Sequence, residues 1–327
     1  MRLQRERFIG TLLETSPEKE SALTTPTPFR LSAGMLALGG VAICAVIWGT
    51  TWFAITLQLG TVDPVASIVW RFGLAAILLF LGCLAFRQPL RLNRQQHLAA
   101  LCQGIFAFSI SYSFTYAAEG RIASAVVAVI FASLALMNLI LFRIAARQKA
   151  AMAAWAGAVL GVIGVAVLSG AEALKEGGLG SGAVAGVGFA FCAVLASAFG
   201  NFFAFRGQQA GSAVIPSTAW AMAYGTGMLV LFGLATGVEW TIEPTTAYLG
   251  SLLYLSVFGS VIAFGLYFTI ARARGYALAS YISALTPPIA MGVSVLFEGA
   301  TFGWAALVGL GLVLAGQGLL IKAPKAE

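Results

Sequence analysis

The chain has 327 residues, of which 60% are apolar and only 9% are charged. A soluble domain averages about 25% charged residues, and a fold of this length could not remove so much apolar surface from water. The composition therefore excludes a water-soluble globular protein and predicts a protein embedded in lipid. The net charge of +7 leaves a nucleic-acid-binding role to be judged from where the basic residues lie.

Residues 1–30 form a polar N-terminal tail. They contain no apolar stretch followed by a small-residue cleavage site, so they do not resemble a signal peptide. Two interpretations of the tail stay open. Three arginines among scattered apolar residues could form a short amphipathic helix on the membrane surface, which Pro26 and Pro28 would end. A disordered cytoplasmic tail is the interpretation that we favour.

Ten stretches beyond the tail approach or exceed the roughly 20 apolar residues that a membrane-spanning helix needs. They are 31–62, 65–86, 95–118, 122–142, 150–171, 177–205, 207–238, 244–271, 275–297 and 299–321. Only the second of them contains a charged residue, Arg71. The alternating pattern of a membrane barrel is absent. The predicted fold class is therefore an all-α polytopic membrane protein with ten transmembrane helices.

The basic residues predict the orientation of these spans. If the N-terminus lies in the cytoplasm, 16 of the 19 lysines and arginines fall on the cytoplasmic side, and only Arg121 and Lys175 fall outside. This asymmetry follows the positive-inside rule. We expect both termini, including residues 322–327, to be cytoplasmic. Because topology accounts for the positive charge, nucleic acid is not an expected partner.

The two halves of the chain contain similar residues at a nearly constant offset. A shift of 152 residues, or of 155 in the middle of the half, superimposes the following pairs: Pro64 and Pro216, Gly73 and Gly225, Tyr112 and Tyr267, Gly120 and Gly275, Gly157 and Gly309, Gly164 and Gly316. We interpret residues 31–171 and 177–321 as two five-helix repeats. Because five is odd, the second repeat enters the membrane from the opposite side. Such inverted repeats are typical of secondary transporters, whose substrate site lies between the repeats near the midplane.

Several short motifs occur in order along the chain. They are IWGTTWFAI at 47–55, WRF at 70–72, ASYISALTPPIA at 279–290 and GLGLVLAGQGLLI at 309–321. With these motifs the chain resembles the EamA-type, ten-helix branch of the drug/metabolite transporter superfamily. Within that branch it looks most similar to the YddG-type exporters of aromatic and neutral amino acids. The resemblance implies an amino-acid exporter of the bacterial inner membrane. The chain departs from internal symmetry in one place, where Phe131 and Ala132 stand opposite Pro287 and Pro288 of the second half.

Aromatic and hydroxyl side chains on the first and third spans are candidates for a substrate cavity. Trp48 and Trp52 are four residues apart and therefore share a helix face, with Thr51 beside them. A ring-stacking cavity or an interfacial tryptophan belt would both explain this pair. Ser109, Tyr112 and Tyr116 form a polar stripe on the third span. Facing lipid, their hydroxyls would have no hydrogen-bonding partners, so we expect the stripe to face the interior of the protein.

The second half contributes three further candidates for the same cavity. Asn201 would be costly in lipid without a hydrogen bond, so it serves either as a substrate contact or as a link between helices. Tyr224 and Tyr267 add hydroxyls from the seventh and eighth spans. Together with the residues of the first half, these groups would bind a zwitterion through neutral hydrogen bonds.

Four residues are candidates for a charge or gate role. Arg71 is the only charge well inside a span. It could pair with a substrate carboxylate, but we favour a structural pairing with Glu119, Asp63 or carbonyl groups. Pro287 and Pro288 should interrupt helical hydrogen bonding and kink the ninth span, which would suit a gate. Glu298, like Glu119, lies at an outer helix end, where we expect it to be solvated.

Other chemistry is not indicated. No Asp or Glu lies in the middle of a span, and the four cysteines lie in apolar runs without metal-binding spacing. No nucleotide-binding, metalloprotease or serine-hydrolase motif is present. We therefore expect a transporter that is not an enzyme, uses no metal or cofactor, and functions as a monomer. Two alternatives stay open: an exporter of drugs or other metabolites on the same fold, and an intramembrane enzyme or lipid-handling protein.

Overall fold

The computed structural model describes residues 33–145, 147, 151–175, 181–274 and 276–322. Within these residues every regular element is helical. The helices, in chain order, are α1 (Ala33–Thr56), α2 (Pro64–Ala85), α3 (Arg94–Glu119), α4 (Ser124–Ala145), α5 (Met152–Lys175), α6 (Ser181–Gln209), α7 (Val214–Thr236), α8 (246–274), α9 (Tyr276–Phe297) and α10 (Trp304–Lys322). The predicted N-terminal tail and residues 323–327 lie outside the described part.

The helices have the length and composition expected for a polytopic membrane protein. Over the described residues, seven of them, α1–α4 and α6–α8, are long and apolar enough to cross a bilayer, and α5, α9 and α10 contain shorter apolar segments. Large apolar side chains such as Leu81, Leu231 and Leu234 are more than half exposed on the molecular surface. Lipid is the environment that such a surface requires. The all-helical prediction is confirmed in this form, while the count of ten membrane spans stays a prediction.

Local sequence signals explain several helix ends. The Asp63 side chain accepts a hydrogen bond of 2.7 Å from the Val65 amide at the start of α2, with Pro64 in the first helical position. Asn93 and Gln96 form a reciprocal capping box at the start of α3. Gly211, at φ +86°, makes the turn between α6 and α7. The sequence predicts that the seventh span starts at residue 207. This start is too early, because α6 continues to Gln209.

Helices α3, α4 and α8 depart from regular α-helical geometry. Gly104–Ile110 in α3 and Leu255–Ile262 in α8 form π-helical turns, and α4 is interrupted at residues 132–133. The amide of Gln317 in α10 donates a hydrogen bond of 3.2 Å to the Ala132 carbonyl at this interruption. Polar side chains from a neighbouring helix commonly satisfy such backbone groups in membranes.

Pro287 and Pro288 do not end the ninth helix. Both prolines lie inside α9, which continues from Tyr276 to Phe297. A proline removes one amide donor, but neighbouring helices can support the backbone on either side of it. The helix that breaks is α4, which has no proline. The sequence did not predict the break in α4, and a kink at the two prolines of α9 stays a prediction.

Glycines bring α5 and α10 into close antiparallel contact. Gly164 lies against Gly309, and Gly157 lies against Gly316. A Cβ atom on Gly164 would be 2.5 Å from the Gly309 carbonyl oxygen, and one on Gly309 would be 2.7 Å from the Gly164 carbonyl oxygen. Without side chains between them, the two backbones gain dispersion contact over a long interface. Helices α2 and α7 pack on each other in the molecular core.

Replacing Gly309 with alanine should destabilise the protein, because the new methyl group would collide with the α5 backbone. Overpacking of this kind costs about 1–3 kcal/mol. Gly311 is the matched control, since a Cβ atom there would meet nothing within 4 Å. Thermal unfolding of purified protein in detergent should show a lower transition temperature for Gly309→Ala and little change for Gly311→Ala. Equal stability of the two variants would contradict the α5–α10 packing.

Candidate functional site

A cavity of about 100 Å³ lies in the interior, where seven helices converge. On this measure one water molecule needs roughly 10–15 Å³, so the cavity has room for a small organic molecule. Aromatic rings contribute much of its wall: Trp48, Trp52, Tyr112, Phe131, Phe264, Tyr267 and Phe268. The polar lining residues are Thr51, Arg71, Thr115, Ser197, Asn201 and Thr286.

The two tryptophans of α1 line the cavity, but their indole groups are bonded differently. The Trp48 indole donates a hydrogen bond of 3.2 Å to the Gly259 carbonyl, in the π-helical turn of α8, and its ring packs against Phe264. The Trp52 ring packs against Phe131 with 4.9 Å between centroids. Its buried Nε1 has no hydrogen-bond partner. Trp52 therefore offers an unused donor, which Trp48 does not.

Neutral polar groups form a second part of the lining. Asn201 in α6 donates a hydrogen bond of 3.4 Å to the Asn138 side chain in α4, and it also interacts with the Tyr267 hydroxyl. Asn201 thus links three helices at the cavity. The hydroxyls of Thr51 and Thr286 donate to carbonyl groups of their own helices. Asn138 did not emerge from the sequence, although an amide in an apolar run was the available signal.

Arg71 is the only charged residue of the described cavity lining, and 1% of it is exposed. Its Nε donates to Ser260 Oγ at 3.1 Å, and its Nη2 lies 3.5 Å from the Tyr112 hydroxyl. The guanidinium carbon lies 4.6 Å from the centre of the Tyr112 ring and 5.0 Å from that of Phe72. Its Nη1 is buried without a partner.

The acidic partners predicted for Arg71 are bonded elsewhere or not at all. Asp63 caps the start of α2. Glu119 is 7% exposed, and neither of its carboxyl oxygens accepts a hydrogen bond. Glu119 lies at a helix end, as the sequence indicated, but that end of α3 is buried. Glu298 is exposed and accepts hydrogen bonds from Ser124, at 2.7 Å, and from Ser294.

Three of the predicted cavity residues lie outside the lining. The Tyr116 hydroxyl donates to Gln58 at 2.7 Å, and the Tyr224 hydroxyl is 2.9 Å from Nδ1 of His97. Ser109 is buried within the π-helical turn of α3. The predicted stripe assumed 3.6 residues per turn throughout α3, whereas the π turn changes the phase of the helix. Only Tyr112 of that stripe reaches the cavity.

The prolines of α9 also lie outside the lining. Pro287 is buried and Pro288 is half-buried, while the adjacent Thr286 faces the cavity. The same helix contributes Ser294, which connects to the start of α4 through Ser124 at 3.1 Å. A gate role for these prolines stays a prediction.

The sequence profile of the EamA-like transporter family matches residues 35–170 and again residues 184–322. The chain belongs to this family. The resemblance inferred from the motifs of the first and ninth helices is thereby confirmed at the family level. EamA-family membership establishes a membrane transporter, and the described helices make it a multi-pass membrane protein.

Individual relatives and a solved structure extend the same comparison. The EamA chain is 25% identical to the inner membrane transporter YedA of Escherichia coli (strain K12) over 84% of its own length and 87% of YedA. It is 28% identical to Protein PecM of Dickeya dadantii (strain 3937), over 81% and 85% of the two chains. A crystal structure with 18% identity superimposes with a TM-score of 0.66 over 87% of this chain and 96% of the other. This last likeness supports the fold.

Tyr112 and Tyr116 should respond differently to loss of the hydroxyl group. Tyr116→Phe would leave the buried Gln58 without its partner, which costs about 1–3 kcal/mol of unfolding free energy. Tyr112→Phe loses only a long contact at the cavity edge and should destabilise the protein less. Thermal unfolding of both variants in detergent would measure the difference. If Tyr112→Phe were the less stable variant, the assignment of Tyr116 to the helix packing would be wrong.

Proposed function

We propose that this transporter exports amino acids from the cytoplasm by alternating access, with aromatic and other neutral amino acids favoured. The observation that carries this proposal is the ring-lined interior cavity, whose wall comes from both segments that match the family profile. Trp48 and Phe131 belong to the first segment, and Phe264 and Tyr267 to the second. A site between two halves can open to either side as the halves move.

The proposed architecture is ten membrane spans arranged as two inverted five-helix repeats, residues 31–171 and 177–321. Three observations support it. The family profile matches each half separately. When each half is renumbered by the shift of 152 residues, the contact between Gly164 and Gly309 becomes the contact between Gly316 and Gly157. The same shift brings the π-helical turn Gly104–Ile110 within one residue of Leu255–Ile262.

The lining of the cavity fits an amino acid with an apolar or aromatic side chain. The rings of Trp48 and Phe264 offer faces and edges for stacking. Asn201 and Tyr112 supply neutral hydrogen-bonding groups for the polar end of the substrate. These features agree with the YddG-type subgroup, which we retain as part of the proposal. The similarity to YedA, an inner membrane transporter, supports the inner membrane as the location.

Purified protein in liposomes should release preloaded, labelled phenylalanine without ATP. Trp48→Ala should slow this efflux at least several-fold, because it removes a ring that contacts Phe264 and Tyr267. Trp304→Ala is the matched control, since Trp304 is 79% exposed on the outer surface. Its efflux should equal that of the unmodified protein.

Two results of this assay would count against the proposal. If no amino acid leaves the vesicles while a drug or another metabolite does, the transporter has a different substrate. If Trp48→Ala and Trp304→Ala transport equally well, the cavity is not the substrate site. A counterflow screen over the twenty amino acids would then identify the preferred substrate, if there is one.

Reporter tags fused to each terminus should both report a cytoplasmic location in bacterial cells. The expectation follows from an even number of spans and from the 16 basic residues assigned to the cytoplasmic side. Protease protection in inverted and right-side-out vesicles would provide an independent measurement. Termini on opposite faces would refute the two inverted five-helix repeats.

A further inference from the structure

Two residues that line the cavity each carry a buried hydrogen-bond donor with no acceptor among the described residues. The donors are Nη1 of Arg71 in α2 and Nε1 of Trp52 in α1. An unmade hydrogen bond at a buried donor costs about 1–3 kcal/mol, and more when the donor is charged. A cavity with two such donors is complementary to a ligand that supplies acceptor atoms.

The position of the Arg71 guanidinium is determined by its other contacts. Ser260 accepts from Nε at 3.1 Å, and the Ser260 hydroxyl itself donates to the Leu255 carbonyl within the π-helical turn of α8. Tyr112 contacts Nη2 and the guanidinium face. A Cβ atom on Gly259 would lie 3.4 Å from Nη2, so the absence of a side chain there provides space for the guanidinium. Tyr116 also interacts with the Arg71 side chain, and Nη1 has no hydrogen-bond partner among the described residues.

The Trp52 indole is also held in place. Its ring packs against Phe131 with an interplanar angle of 56°. Phe131 is the last residue of the first segment of α4, next to the interruption of that helix. Ring packing therefore restrains the indole that carries the unpaired donor.

No carboxylate among the described residues neutralises Arg71 by direct contact. Asp63 bonds to the α2 backbone, and Glu298 bonds to two serines. Glu119 and Arg71 interact electrostatically, but the carboxyl oxygens of Glu119 have no hydrogen-bond partner among the described residues. A buried cation that lacks an anionic partner has a high free energy in a membrane interior.

We propose that the cavity binds a carboxylate group of its ligand, with Arg71 Nη1 and Trp52 Nε1 as the donors. This inference deepens the proposed function, because it defines the substrate class as small molecules that carry a carboxylate next to an apolar or aromatic group. A guanidinium binds carboxylate through strong, directional hydrogen bonds. The same positive charge disfavours amines and cationic drugs that lack a carboxylate.

A panel of phenylalanine analogues tests the proposal on the unmodified protein. The measurement is inhibition of labelled phenylalanine counterflow in liposomes. 3-Phenylpropionate, which retains the carboxylate and lacks the ammonium group, should compete. Phenethylamine and phenylalaninamide, which lack the carboxylate, should need at least ten-fold higher concentrations. Equal competition by all three compounds would overturn the proposal.

Variants of the two donors locate the carboxylate. Arg71→Gln should raise the half-saturating phenylalanine concentration by about 10–100-fold, the range expected for a charged hydrogen bond, and Arg71→Lys should recover part of the loss. Trp52→Phe keeps a ring against Phe131 and removes only the donor, so a rise of about three- to ten-fold is expected. Arg121→Gln is the control, because Arg121 is exposed and bonds to the Ala117 carbonyl.

The outcomes separate this inference from the proposed function. Unchanged half-saturation in Trp52→Phe and in a folded Arg71→Gln variant would overturn the carboxylate site, even if phenylalanine were transported. If Arg71→Gln failed to fold, the analogue panel and Trp52→Phe would still decide. Transport of carboxylates that are not amino acids, with no amino-acid transport, would support the site and refute the amino-acid assignment.

Discussion

The hydrocarbon of a bilayer supplies no hydrogen-bonding partners, and this constraint shapes the whole molecule. Backbone groups are satisfied within helices, and apolar side chains such as Leu81 and Leu231 occupy the outer surface. Since lipid provides no hydrophobic force between helices, close packing must hold them together. The glycine contacts between α5 and α10 are the clearest case. Many of the described polar side chains consequently lie at interior contacts, at helix ends or in the cavity.

Departures from helical regularity concentrate around the cavity, where the protein can satisfy the affected groups. The π-helical turn of α8 provides the Gly259 carbonyl for Trp48 and the Ser260 hydroxyl for Arg71. Phe131 and Ala132, at the interruption of α4, lie in the cavity wall. The Gln317 side chain donates a hydrogen bond to the Ala132 carbonyl there. Non-helical backbone at membrane depth is tolerated only where protein or a cavity surrounds it. The irregular segments thus position the lining residues.

The sequence could predict features that depend on short spacings, but not those that depend on distant partners. Four-residue spacing correctly placed Trp48 and Trp52 on one face, and the motifs around them identified the family. Tyr116 and Tyr224 carry the same hydroxyl as Tyr112. They differ from Tyr112 in their tertiary contacts, because the hydroxyl of Tyr116 bonds to Gln58 and that of Tyr224 bonds to His97. The π turn that removes Ser109 from the stripe has no clear sequence signature, and neither does the burial of Glu119.

No carboxylate in the described part of the chain forms a hydrogen bond with Arg71, and this has a consequence for transport. A resident carboxylate would satisfy the guanidinium permanently and would compete with any ligand for it. When the ligand supplies the negative charge, the guanidinium is neutralised only in the occupied cavity. Ligand binding can therefore favour the arrangement of helices in which this contact forms. The two proposed ligand donors come from α1 and α2, whereas Ser260 and Phe131, which contact the residues that carry them, come from α8 and α4. Movement between these helices would change donor positions and thereby weaken binding, which a transporter needs in order to release its substrate on the other side.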